Sequence, residues 1–288
     1  MHGRLVIVAA LAVAGGLFAT TSAAALSATL DRIKESGAIT FGYRDGAAPF
    51  SFKDREGRVR GYSVELCTRV AQSIQKELAL EELKIEWQPV TAATRFDAVA
   101  SGKVDVVCGT STMSLSRMER VDFSVPIFVD GGSVLVRRQA RLARLVDLKG
   151  KRVAVIPGTT TEAALTRALS ALGAPATLVP VKDGAEGIAQ LSAGTVDGYA
   201  GDRIVLDRLR IGAQFPQSFT IVRRDFSYEP YALVVRRSDP DFRLAVNRAL
   251  VGLYRSGDID PIFQRWLGGL GTPGPLLHAM FYLNTLPE

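Results

Sequence analysis

Apolar residues recur in two rhythms along this chain, and the two rhythms alternate. From Ser63 onward they fall at Cys67, Val70, Ala71, Ile74 and Leu78, one stripe of a helix. A short helix over 29–35 and an apolar strand over 38–43 precede that stripe, with a loop at Gly46 and Pro49 and a turn over 54–57 between them. Beyond it come a strand over 85–90, a helix over 94–101 and a strand over 104–108. That second helix stops at Gly102, where helices take a left-handed residue. The order β-α-β-α-β predicts a parallel sheet with helices on its faces.

The same order recurs downstream. Strands are expected over 152–156, 176–181 and 196–200, with helices over 160–172 and 184–193 ended by Gly173 and Gly194. Ala100-Ser-Gly-Lys-Val-Asp-Val-Val-Cys-Gly109 and Ser192-Ala-Gly-Thr-Val-Asp-Gly-Tyr-Ala-Gly201 occupy equivalent points of the two units. Both read as helix end, glycine, Val-Asp, and a strand closing in glycine. The sequence therefore predicts an α/β protein of two β-α-β lobes. Residues 123–137, with Asp130-Gly131-Gly132 in their middle, connect the units. A strand over 231–235 and an amphipathic helix over 242–256 follow the second. The expected division is 26–130 with 231–288 as the first lobe and 131–230 as the second. Crossings near Gly131 and Glu229 make a hinge, and the cleft between lobes is where a small ligand belongs.

The first 25 residues read as a leader. Arg4 precedes an apolar run over 5–18, and Ala23-x-Ala25 is a cleavage signature before Leu26. The run is shorter than the roughly 18–20 apolar residues of a membrane span. A cleaved signal peptide and a periplasmic protein are expected, and no Cys follows the cleavage region to carry a lipid. Without the leader, 34 Lys and Arg face 29 Asp and Glu. In an exported chain this excess reads first as a merely solvated surface and next as a field for small anions, rather than as a sign of nucleic-acid binding. Cys67 and Cys108 enter a compartment where disulfides are permitted. Their spacing does not decide the pairing; the reading preferred here leaves each as a small buried hydrophobe. The only histidines are His2 and His278, so neither a metal site nor a cofactor is expected.

Strand C-termini and helix N-termini set up a cleft for an anion. Gly109-Thr-Ser-Thr112 with Arg117, and Pro157-Gly-Thr-Thr160, have that character. Neither carries the Lys-Ser/Thr of a nucleotide loop, whereas a carboxylate suits both, with Arg117 as a fork. Asp202, at the end of a strand, is a candidate partner for a ligand ammonium and equally a candidate N-cap for the helix from Ile204. Arg44 ends the first strand. Arg95 stands in the first turn of a helix, where a cation opposes the dipole and needs another reward.

At these residues the chain resembles the family 3 extracellular solute-binding proteins of amino-acid ABC transporters, and within them the glutamate/aspartate-binding branch. Gly42-Tyr-Arg44, Pro49-Phe-Ser51-Phe, Gly61-Tyr-Ser, Thr94-Arg95, Cys108-Gly-Thr-Ser-Thr112 with Arg117, and Asp122-Phe-Ser-x-Pro-Ile-Phe128 carry the resemblance in the first half. Asp147-Leu-Lys-Gly-Lys151, Pro157-Gly-Thr-Thr-Thr-Glu162, Lys182-Asp183 and Gly201-Asp202 continue it. It implies a periplasmic-binding-protein-like fold, a monomer, and delivery of an amino acid to a membrane permease. It also implies that Arg117, Thr112 and Thr160 hold the α-carboxylate and that Thr110 and Asp202 hold the ammonium. Arg44 and Arg95 would then meet a side-chain carboxylate. Ala92 departs from the branch, which commonly has a hydroxyl there, and so does Gly184, where some members carry a His. Each change removes a donor to the distal group. The rivals are a same-fold enzyme of the cyclohexadienyl dehydratase type, a sensor ectodomain, and a binder of a neutral polar amino acid such as glutamine. An enzyme needs a placed acid or base, and the inferred cleft holds no His; a sensor needs a signalling module beyond Glu288.

Overall fold

The computed structural model describes residues 28–270 and 273–287, so the leader and its cleavage point lie outside the described residues. Two five-stranded sheets organise them. The first sheet draws on both ends of the chain. Its early elements are α1 (Ala28–Ser36), β1 (Ala38–Tyr43), a small hairpin of β2 (Phe52–Lys53) and β3 (Val59–Arg60), α2 (Tyr62–Glu77), β4 (Lys84–Pro89), α3 (Arg95–Ala100), β5 (Val106–Cys108), α4 (Leu115–Met118) and β6 (Asp122–Asp130). The second sheet takes the middle of the chain, with β7 (Gly132–Arg137), β8 (Arg152–Val155), α5 (Thr160–Ala171), β9 (Thr177–Pro180), α6 (Gly184–Ala193), β10 (Gly198–Asp202), α7 (Arg203–Gly212) and β11 (Phe219–Ile221). The chain then returns through β12 (Glu229–Val235) and closes with α8 (Pro240–Ser256), α9 (Ile259–Leu267) and α10 (Pro275–Leu283).

Strand order is β4-β1-β5-β12-β6 in the first sheet and β11-β7-β10-β8-β9 in the second. The parallel pairing expected from the repeated pattern holds within β4-β1-β5 and β10-β8-β9. The remaining pairs are antiparallel: the connecting stretch over 123–137 is itself two strands, with β6 against β12 and β7 against β10 and β11, and β12 also pairs with β5. Pro126 breaks the apolar run there, and a proline without an N–H belongs on an edge strand. β6 is that edge, and its register with β12 shifts beside the Pro126 pairing.

The stripe on α2 buries Cys67, Val70, Ala71, Ile74 and Leu78 in a core shared with β1, α8, α9 and α10. One expectation is corrected here. Cys67 and Cys108 form a disulfide, with Cα atoms 6.2 Å apart. α2 packs across β5, which places the stripe residue Cys67 over the strand end. A separation of 41 residues in the chain conceals that contact.

The two crossings between sheets run side by side. Gly132 N donates to Ser227 Oγ at 3.1 Å, and Phe226 N donates to the Gly132 carbonyl at 2.9 Å. A Cβ on Gly132 would lie 2.5 Å from Ser227 Oγ and 2.8 Å from the Phe226 ring, and one on Gly131 would lie 2.7 Å from the Asp225 carboxyl. Close approach of these backbones is what the glycines provide.

Candidate functional site

The site grows from the ends of β1 and β5. Arg44 follows β1, with its backbone N–H held by Ser51 Oγ at 2.9 Å and its guanidinium donating to Thr110 Oγ1 at 3.1 Å. The segment from Gly109 to Met113 is fixed on several sides. The disulfide holds Cys108, Ser63 Oγ donates to the Gly109 carbonyl, and Ala232 N and Met113 N pair this segment with β12. Thr110 and Thr112 are consequently buried on a rigid wall. Arg117, in α4, donates to the Thr112 carbonyl at 2.7 Å.

Arg95 explains its unfavourable place at a helix start. It is 2 % exposed and points into the same space, where it bonds the Ala92 carbonyl. Its guanidinium carbon lies 4.4 Å from the centre of the Phe96 ring, and that of Arg117 lies 5.0 Å from it. An aromatic face attracts a cation, so one ring steadies two guanidiniums. Burial lowers the Arg95 pKa to about 9, with Arg44 and Arg117 adding repulsion. Burial also lowers that of Arg117. Arg95 Nε is buried and has no hydrogen-bond partner among the described residues. None of Arg44, Arg95 and Arg117 forms a salt bridge with a described carboxylate.

The second sheet supplies the opposite wall. Thr159 caps α5 by accepting from Glu162 N, which leaves Thr160 and Thr161 at the helix start. Thr161 Oγ1 donates to Asp202 Oδ1 at 3.0 Å. Asp202 does occupy the N-cap position of α7, but its side chain makes no capping bond. Asp130 accepts from Ile204 N instead, at 3.2 Å, so Asp202 is left to face the cleft. Burial, then the nearby Glu229 charge, raises the Asp202 pKa. Burial and Asp202 push Asp130 up to about 8.

All seven sequence-derived residues, Arg44, Arg95, Thr110, Thr112, Arg117, Thr160 and Asp202, line one cavity holding about 490 Å³ of empty space between the sheets. Sequence reasoning missed Glu229 as a member of the site. It is 1 % exposed and accepts from Thr112 Oγ1 at 2.6 Å, Thr160 Oγ1 at 2.7 Å and Ser227 Oγ at 2.5 Å. One carboxylate thus joins a threonine from each wall at the second crossing. The available signal was an acid at the head of an apolar strand. Tyr199 was missed as well, and lines the same cavity. No group of three or more metal-ligating His, Cys, Asp or Glu occurs among the described residues, and no helix among them is long and apolar enough to cross a membrane.

The comparisons with known proteins agree with this geometry. The model of the bacterial extracellular solute-binding proteins, family 3, matches residues 39–269. An L-glutamate/L-aspartate-binding protein of Pseudomonas aeruginosa is 36% identical over 88% of this chain and 84% of its own length. A solved ancestral arginine-binding protein bound to arginine has a TM-score of 0.73 at 29% identity, covering 81% of this chain and 99% of that one. A solved ancestral amino acid-binding protein, a precursor of cyclohexadienyl dehydratase, has a TM-score of 0.70 at 26% identity, covering 83% and 98%. This chain belongs to the bacterial extracellular solute-binding proteins of family 3.

Proposed function

We propose that the protein binds an acidic amino acid, glutamate or aspartate, between its lobes and delivers it to the permease of an ABC importer. The observation that carries this reading is the wall of Arg44, Arg95 and Arg117, buried or partly buried without a salt-bridged carboxylate among the described residues. Buried charge without a direct ion pair is costly; Asp202 and Glu229 favour these cations from a distance, and a ligand with two carboxylates supplies the direct partners. The α-carboxylate goes to Arg117 and to the backbone N–H groups of Thr112 and Thr160, whose hydroxyl protons go to Glu229; the ammonium goes to Thr110 and Asp202, and the side-chain carboxylate to Arg44 and Arg95. The glutamate/aspartate-binding relative in Pseudomonas aeruginosa supports the same ligand class.

The mature protein in this reading starts near Leu26 after export to the periplasm and acts as a monomer. Residues 26–130 and 231–288 form one lobe and 131–230 the other, a division supported by the membership of the two sheets. Its role is binding and not catalysis, since Asp202 already serves the ammonium. Titration calorimetry of protein that has been unfolded, stripped of ligand and refolded tests the assignment. Glutamate or aspartate is expected to bind better than glutamine or asparagine by about 2–3 kcal/mol, the worth of a charged hydrogen bond. A preference for glutamine at neutral pH contradicts it.

A further inference from the structure

Among the cavity-lining hydroxyls of the second sheet's wall, Thr159, Thr160 and Thr161 each have a hydrogen-bond partner. No described residue hydrogen-bonds the hydroxyl of Tyr199. The residue is 2 % exposed, and its side chain packs in a core with Leu135, Leu191 and Leu206 while also lining the cavity. The ring is buried, but the hydroxyl oxygen is not among the buried partnerless atoms, so it keeps an open face on the cavity, where its proton is free for a ligand acceptor.

The packing around the ring is built for it. Tyr199 lies in β10, paired with Leu135 and Ala154. α6 turns Gly184 and Gly187 towards it. A Cβ on Gly187 would lie 2.6 Å from the ring carbons Cδ2 and Cε2, and one on Gly184 would lie 3.5 Å from the hydroxyl oxygen. The ring therefore rests directly against the helix backbone, in space that a side chain at Gly187 would take. Gly184 opens α6 and offers no side-chain donor of its own. Burial raises the pKa of the phenol, so it keeps its proton at neutral pH and acts as a donor; Arg44 is the largest charge influence opposing that shift. The hydroxyl also lies near the chain that follows Arg44, since a Cβ on Gly184 would stand 3.5 Å from it and 3.6 Å from the carbonyl of Gly46.

We propose that the Tyr199 hydroxyl is a specificity-determining donor to the side-chain carboxylate of the ligand, acting from the second sheet opposite Arg44 and Arg95. The proposal rests on the acidic-amino-acid reading above. A site built to hydrogen-bond one ligand group discriminates strongly when that bond is lost, and a bond to a charged acceptor is worth more than one to a neutral acceptor.

The test is calorimetry of ligand-stripped wild type and Tyr199→Phe with glutamate and with glutamine, alongside thermal melts. The variant keeps the ring and its packing, so its ligand-free melting temperature should match wild type. Its affinity for glutamate should fall about tenfold, roughly 1.4 kcal/mol, and that for glutamine by no more than about threefold. Wild-type protein that binds glutamate, with a variant that matches it or loses both ligands equally, overturns the assignment to Tyr199 alone. Wild-type protein that takes up neither acidic amino acid overturns the acidic-ligand reading, and this assignment with it.

Discussion

The two walls of the cleft are made of different chemistry. The first sheet's wall carries three guanidiniums, two of them against one phenyl ring, with threonines on a loop tied down by a disulfide and by β12. The second sheet's wall carries threonine hydroxyls at the start of α5, the carboxyl of Asp202 and the phenol of Tyr199. Positive charge is thus concentrated on one side, and an acid with hydroxyls on the other. A zwitterion with an extra carboxylate satisfies both walls at once, which gives it the differential affinity for a closed form that a ligand needs to shift an equilibrium. The first wall is expected to supply the cations for both carboxylates, and the second to add Thr160, Tyr199 and Asp202 as the cleft closes.

Breaking one cation at a time separates the two ends of the ligand. Arg95→Met keeps bulk and removes the distal fork. Its glutamate affinity should fall by about 2 kcal/mol, roughly thirtyfold, while glutamine changes little in the same calorimetric comparison. Equal losses for both ligands would place Arg95 at the shared end. Arg117→Lys should instead weaken every α-amino acid by about tenfold, because lysine keeps the charge but not the planar two-point geometry. Undiminished affinity for the best ligand would move the α-carboxylate elsewhere.

The acidic side yields a smaller, pH-dependent effect. Asp130 is raised from 3.8 to about 8 in the folded protein, chiefly by burial and then by the charge of Asp202. A carboxyl with a raised folded pKa contributes stability that is fully present below its unfolded pKa and is lost as pH rises through the folded value. Melting temperatures of ligand-free protein should therefore decline between about pH 4 and about pH 8. Saturating glutamate should flatten the decline, since its ammonium offsets the charge on the Asp202 side, and Asp130→Asn should flatten it without ligand. A slope that neither change alters would remove the pair from the account.

Much of this was legible before any coordinates. The seven candidates converge because each lies at a strand end or a helix start, and in a sheet with β-α-β order those ends share one side. Arg95 gave itself away by standing where a helix dipole opposes it. The hidden parts share a cause, which is dependence on packing between distant segments. Cys67 and Cys108 meet only because α2 crosses β5. Glu229 joins the site because the second crossing brings it to Thr112 and Thr160, 117 and 69 residues away in the chain. Tyr199 reads as one more apolar position in a strand, and only the glycine face of α6 marks its place. The connection expected over 123–137 is the strands β6 and β7, whose alternation is interrupted by a proline and paired glycines.

The most direct test is a crystal structure of the protein with glutamate. The account predicts the α-carboxylate against Arg117, Thr112 and Thr160, the ammonium at Asp202, and the side-chain carboxylate between Arg44 and Arg95. A glutamate bound in the reverse sense, with its ammonium away from Asp202, or bound outside this cleft, would contradict it.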